Sequence, residues 1–259
     1  MTTGTVTAAG VRIAYEEVGD GPPLLLIHGL GYPRWGWAPV VEPLAKTFRV
    51  ITFDNRGIGG SDAPPGPYDT ATLAADAVAV LDAAGVRRAH VMGASLGGMI
   101  AQMVALEHAH RVDRLILACT TPGGAEAYPL PEATLTLIRE AAGLPPEEAT
   151  RRLTANALAS RHPLEDLLAR RLADPQDPTA WQAQSAASLG HDAYGRLGEI
   201  TSPTLVLHGT ADRVVDPRNA PLLAEHIPGA RLEWLPGQGH LFFWEDPDGT
   251  VERVRRFLG

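Results

Sequence analysis

Gly93-Ala94-Ser95-Leu96-Gly97 reads Gly-x-Ser-x-Gly, and its flanks give that pattern mechanical meaning. Ahead of it runs Ala89-His90-Val91-Met92, short and mostly apolar, as a buried strand should be. Behind it runs Met99-Ile100-Ala101-Gln102-Met103-Val104-Ala105-Leu106, which reads as a helix. A serine at such a strand-to-helix turn is held in strained backbone, and its hydroxyl stands clear of the sheet. The glycines admit the tight turn and the close helix–strand contact, both of which side chains would block.

Outward from this turn, strands alternate with helices. Thr5–Val18 reads as two short strands around the turn Ala9-Gly10. Asp20-Gly21-Pro22-Pro23 is a turn before the apolar strand Leu24-Leu25-Leu26-Ile27. Val50-Ile51-Thr52-Phe53 is the next buried strand. Leu73, Ala77, Val80, Leu81 and Ala84 recur at helical spacing within Asp69–Ala84, and Gly85 suits the helix stop. Leu115–Cys119 is another strand. From Thr121-Pro122-Gly123-Gly124 to about Glu199 the chain turns helical, rich in Ala, Leu and Arg and punctuated by prolines. Strand texture resumes at Pro203–Gly209 and Arg231–Leu235, and Val251–Leu258 reads as a terminal helix. This alternation predicts an α/β fold, a mostly parallel sheet covered by helices on both faces. Residues 1–122 and 200–259 form its core. Residues 123–199 are read as an inserted helical lid at the carboxyl end of a strand, where ligands bind in open α/β sheets.

Composition narrows the class. The 259 residues are 45% hydrophobic and 20% charged, as in ordinary globular proteins with a sizeable core. The net charge of −8 argues against a nucleic-acid surface. No apolar run approaches a membrane span, and the N-terminus shows no signal peptide, so no membrane partner and a cytoplasmic location are expected. Cys119 is the single cysteine, lies in an apolar strand and is read as a small core residue. There is no CxxC and no dense cluster of structural-metal type, and neither a metal nor an organic cofactor is expected. Lys46 is the one lysine among 22 basic residues, a bias associated with GC-rich bacterial genomes.

A serine hydroxyl is a poor nucleophile until a base takes its proton, and a carboxylate must fix that base's tautomer. On a strand–turn–helix scaffold the chain order is Ser, then Asp or Glu, then His. His240 is the best base, because Pro236-Gly237-Gln238-Gly239-His240 is a glycine-rich loop just after the last strand. His28 and His208 precede glycines at strand ends, which favours structural hydrogen bonding. Asp212 is the best acid, in Gly209-Thr210-Ala211-Asp212 directly after a strand, with Asp216 its competitor. The oxyanion needs two backbone donors. One is Leu96, after the nucleophile. The other is assigned to Leu30, in the loop His28-Gly29-Leu30-Gly31.

These segments, with Asp54-Asn55-Arg56-Gly57-Ile58-Gly59-Gly60-Ser61-Asp62, resemble the α/β-hydrolase family, in its order and over nearly the whole core. The resemblance implies an α/β-hydrolase fold with Ser95 as nucleophile, Asp212 as orienting acid and His240 as general base. Some relatives take the acid from the strand before the lid, but here that strand ends Cys119-Thr120-Thr121, with no carboxylate. Asp54–Asp62 resembles a structural loop that supports the oxyanion loop, so Arg56 is expected in an ion pair. Trp37 resembles the family's packing tryptophan.

Within the family, a serine at position 95 sets aside the epoxide hydrolases, haloalkane dehalogenases and dienelactone hydrolases. The elbow is similar to those of simple carboxylesterases and of 3-oxoadipate enol-lactonases. The resemblance therefore implies a cofactor-free serine hydrolase (EC 3.1.1) that cleaves a small-molecule carboxylic ester or lactone through an acyl-enzyme. Alternatives are a 3-oxoadipate enol-lactonase-like enzyme, a cofactor-free haloperoxidase or perhydrolase, and a ligand-binding receptor on the same scaffold. Trp35, Trp181, Leu241 and Phe242 are candidate pocket walls. A dianionic enol-lactone would want arginines, which Arg139, Arg151, Arg152, Arg161, Arg170 and Arg171 of the lid could supply.

Overall fold

The computed structural model describes residues 1–160 and 162–259. Strands β1 (Thr2–Ala8), β2 (Val11–Val18), β3 (Pro23–Ile27), β4 (Arg49–Phe53), β5 (Ala89–Ala94), β6 (Val112–Ala118), β7 (Thr204–Gly209) and β8 (Arg231–Leu235) form one sheet. Their order is β1-β2-β4-β3-β5-β6-β7-β8. The β1–β2 and β2–β4 pairs are antiparallel, and every later pair is parallel. The β1–β2 turn falls at Ala9-Gly10, both with positive φ, where glycine removes the steric cost.

The continuous apolar strands follow from burial on both faces. In β3, Leu25 and Ile27 enter one core cluster while Leu24 and Leu26 enter the other, because successive side chains alternate across a sheet. Leu115 and Leu117 against Ile116 repeat the division in β6. Each such fully buried aliphatic side chain contributes about 2 kcal/mol. Helices α2 (Thr70–Ala83), α3 (Leu96–Glu107) and α8 (Asn219–His226) cover the first face. Helices α1 (Ala38–Ala45), α9 (Phe242–Glu245) and α10 (Pro247–Leu258) cover the second. The terminal helix starts at Pro247, earlier than the apolar pattern indicates. Proline suits a first helical position, and the Asp246 side chain caps it by accepting from Gly249 N–H at 3.0 Å.

Between β6 and β7 the chain inserts α4 (Glu132–Ala141), α5 (Pro146–Asn156), α6 (Leu164–Ala173) and α7 (Pro178–Leu189). Prolines open α5 and α7 from within and precede α4 and α6, so they start helices here instead of breaking them. The two ends of the insertion meet in an antiparallel bridge between Gly123 and Asp192. Among the described residues no helix is long and apolar enough to cross a membrane.

Candidate active site

Ser95 lies between β5 and α3 at φ 57° and ψ −124°, a conformation that costs a non-glycine residue about 1–3 kcal/mol. Packing enforces it. A Cβ on Gly93 would lie 2.0 Å from Gly97 O, and one on Gly97 would lie 2.0 Å from Ile27 O. Ser95 N–H donates to Ala118 O at 2.9 Å, and the Thr120 hydroxyl donates to Ser95 O at 2.7 Å, so β6 pins the turn. Ser95 is half-buried, and its hydroxyl forms no hydrogen bond among the described residues.

Two free backbone donors border this serine. Leu96 is the first residue of α3, where an N–H has no intrahelical acceptor. Leu30 N–H likewise has no partner among the described residues. The Leu30 loop presses on the elbow, since a Cβ on Gly29 would lie 2.9 Å from Ser95 Cβ. His28 holds that loop by accepting from Gly29 N–H at Nδ1, 2.7 Å. Burial pulls the His28 pKa down to about 3, so the ring is neutral. It packs on Tyr32, Trp37 and Phe243. Asn55 Nδ2 donates to His28 O at 3.1 Å, which ties the Asp54–Asp62 segment to the same loop. Arg56 forms a buried two-pronged pair with Asp76, at 2.6 and 2.7 Å.

Asp212 follows β7, and its carboxylate is fully buried. Oδ1 accepts from Val214 N–H at 2.7 Å and Val215 N–H at 3.0 Å, and Oδ2 lies 2.8 Å from His240 Nδ1. Burial pushes this carboxyl up, but His240 and His208 beside it outweigh that and hold it well below the usual carboxylate range. Asp216, the competing acid, instead pairs with Arg218 at 2.6 Å. Cys119, His208 and Asp212 are the one group among the described residues whose donor atoms gather as metal ligands would, within 4.8 Å. Burial first, and Asp212 second, push the Cys119 thiol well up, which keeps it protonated and a poor ligand.

The loop bearing His240 follows β8 and is held from behind by Glu245. Its Oε2 accepts from Gly239 N–H at 2.6 Å, and its Oε1 accepts from Ser160 N–H at 2.5 Å. Leu241 N–H donates to Ala157 O at 3.1 Å, so the insertion closes directly on this loop. Sequence reasoning missed Glu245. Its one signal was a carboxylate ending the apolar run Leu241-Phe242-Phe243-Trp244.

The four candidate pocket side chains separate. Trp181 is 37% exposed on α7 and reaches the Leu30 loop, where a Cβ on Gly31 would lie 3.7 Å from its indole. Trp35 lines a different cleft, with Arg34, Glu42, Asp54 and Asp174 and without Ser95 or His240. Leu241 and Phe242 are core residues, packed in the cluster under α1 and α10. An apolar run after a loop is drawn inward once a helix can form, and α9 does so. Arg151 and Arg152 pair with Glu165 and Glu148, Arg139 is exposed, and Arg170 lies over the Trp35 and Trp244 rings. Arg161 lies outside the described residues. Arg171 lies over the Tyr32 ring at 4.7 Å, and a Cβ on Gly31 would lie 3.5 Å from its Nη2.

Residues 22–247 match the family model described as the alpha/beta hydrolase fold. The chain is 31% identical to 3-oxoadipate enol-lactonase 2 of Acinetobacter baylyi, over 98% of this chain and 96% of that protein. It is 29% identical to the pimeloyl-acyl-carrier-protein methyl ester esterase of Aeromonas hydrophila, over 96% of this chain and all (100%) of that protein. The solved structure of a hydrolase from Pseudomonas aeruginosa is 32% identical and superposes with a TM-score of 0.87, covering 99% of this chain and 98% of that one.

Proposed function

The chain belongs to the alpha/beta hydrolase family, and from that premise we propose that it hydrolyses small carboxylic esters or lactones through an acyl-enzyme on Ser95. The observation that carries this reading is the buried 2.8 Å contact between Asp212 and His240, set at the sheet edge that also bears the strained Ser95 turn. Asp212 accepts the Nδ1 proton of His240, which leaves Nε2 bare as the base. His240 takes the Ser95 proton as Oγ attacks the carbonyl carbon. The N–H groups of Leu30 and Leu96 receive the negative charge that develops on the carbonyl oxygen. His240 then returns the proton to the leaving alkoxide and activates water, which releases the acid and frees Ser95. Residues 123–199 act as a lid, which meets the Leu30 loop at Gly31 through Arg171, Gln176 and Trp181.

Arg171 favours a second reading, a substrate that also carries a carboxylate. It is half-buried beside Gly31 and has no ion-pair partner among the described residues, although it donates to Thr154 Oγ1 at 3.0 Å. The 31% identity to a 3-oxoadipate enol-lactonase supports this reading. Steady-state rates on p-nitrophenyl esters of rising acyl length, on 3-oxoadipate enol-lactone and on neutral lactones, for wild type and Ser95→Ala, test both. Fast Ser95-dependent ester turnover supports the first reading. Opening of 3-oxoadipate enol-lactone, with rates on esters and neutral lactones near background, supports the second. Appreciable turnover by Ser95→Ala would sink both, and a burst without turnover would favour a receptor.

A further inference from the structure

His208 stands in β7, four residues ahead of Asp212, and is fully buried. Its Nε2 lies 3.2 Å from Asp212 Oδ2 and 3.3 Å from Val215 O. Both neighbours only accept, so Nε2 carries the ring proton, aimed at the carbonyl with the carboxylate alongside. Nδ1 has no partner among the described residues, so a proton there would find no acceptor. The ring therefore donates through Nε2 alone. Val215 N–H in turn donates to Asp212 Oδ1 at 3.0 Å. His208 therefore closes a loop of contacts around the acid. Its N–H holds the Val215 carbonyl, the Val215 amide holds one carboxylate oxygen, and the same histidine N–H rests against the other.

We infer that His208 is a positioning residue, which fixes the orientation of the Asp212 carboxylate and tempers the charge it presents to His240. This rests on the roles proposed above for Ser95, Asp212 and His240. A carboxylate has about four lone-pair sites, and His240, Val214 and Val215 leave one for His208. A donor opposite His240 draws negative charge away from the His240 side of Oδ2, so it makes the imidazolium less favourable. Removing that donor leaves a buried acceptor unsatisfied and concentrates charge toward His240. His240 then becomes more basic.

The other titratable groups around His208 stay silent between pH 5 and pH 9. Cys119, from the end of β6, is held protonated by burial. Asp216, from the loop after β7, is kept ionised chiefly by its hydrogen bond with Arg218. The acid limb of activity thus reports the coupled Asp212–His240 pair.

The test is the pH dependence of kcat/KM for p-nitrophenyl butyrate, pH 5 to 9, in wild type, His208→Phe, His208→Gln and Ser95→Ala. His208→Phe should raise the midpoint of the acid limb by about half a pH unit or more. It should also lower kcat by about 10- to 100-fold, by analogy with loss of the groups that orient metal-ligating histidines, with KM little changed. His208→Gln keeps an N–H near the Nε2 position and should return the limb to the wild-type midpoint. An unshifted limb in His208→Phe, or an equal shift in both variants, overturns the inference. Should His208→Phe fail to fold, nitrogen NMR of the wild-type chain with labelled histidine decides. A neutral His208 protonated at Nε2 throughout that range supports the inference. A ring protonated at Nδ1, or one that titrates there, overturns it. Turnover surviving in Ser95→Ala would remove the reading of the site itself. An inactive Ser95→Ala with an unshifted His208→Phe removes only the role of His208.

Discussion

Asp212 Oδ2 and His240 Nδ1 meet at 2.8 Å although 28 residues separate them. Parallel pairing of β7 with β8, Gly209 opposite Leu235, makes both following loops leave the same edge of the sheet. Asp212→Asn keeps the shape of the acid but puts an amide N–H toward His240, which stabilises the wrong tautomer. We expect kcat to fall by about 10⁴ with the fold intact. Steady-state ester hydrolysis and circular dichroism measure both. A loss below tenfold would remove Asp212 from this role and leave Asp216→Asn as the variant to make.

The Ser95 turn is a steric device. A methyl group on Gly97 would collide with the backbone of Ile27, which no rotamer change relieves. Gly97→Ala should destabilise the protein by about 1–3 kcal/mol and displace Ser95. Urea denaturation reads the first effect and ester turnover the second. Full activity at unchanged stability would show that α3 can slide away from β3.

Glu245 links the His240 loop to the insertion through two backbone N–H groups. Glu245→Ala leaves both without that acceptor and should cost about 1–3 kcal/mol. Limited proteolysis near Ser160 should quicken, and kcat should fall while Ser95 still reacts with a phosphonate probe. Wild-type protease resistance would mean that the insertion is held without this carboxylate.

His191 lies where the insertion returns to the core, with Nδ1 3.1 Å from the Thr70 hydroxyl. Burial lowers its pKa from 6.5 to about 4. Between those values the unfolded chain binds more protons than the folded one. Stability from the neutral ring is therefore complete above about pH 6.5 and is lost as pH falls toward about 4. His28 acts in the same direction down to about pH 3. Denaturation midpoints from pH 7.5 to pH 4.5 should fall, and His191→Gln should flatten that fall. An identical slope in the variant would assign the acid sensitivity to other groups.

The sequence by itself determined the architecture. Continuous apolar runs such as Leu24–Ile27 demand burial on both faces, and the glycines around Ser95 leave that turn one conformation. Those signals are local, set by period and by steric size, so they survive without a partner in view. Tertiary structure alone decided where single side chains point. Trp35 turns to a cleft away from Ser95, and Leu241 and Phe242 turn into the core. Asp212 rather than Asp216 meets His240 because Arg218 engages Asp216 and backbone amides wrap Asp212. The contacts of Glu245 with the insertion and of His208 with the acid join residues from separate loops. Their energies depend on distance across the sheet edge, and spacing along the chain does not encode that distance.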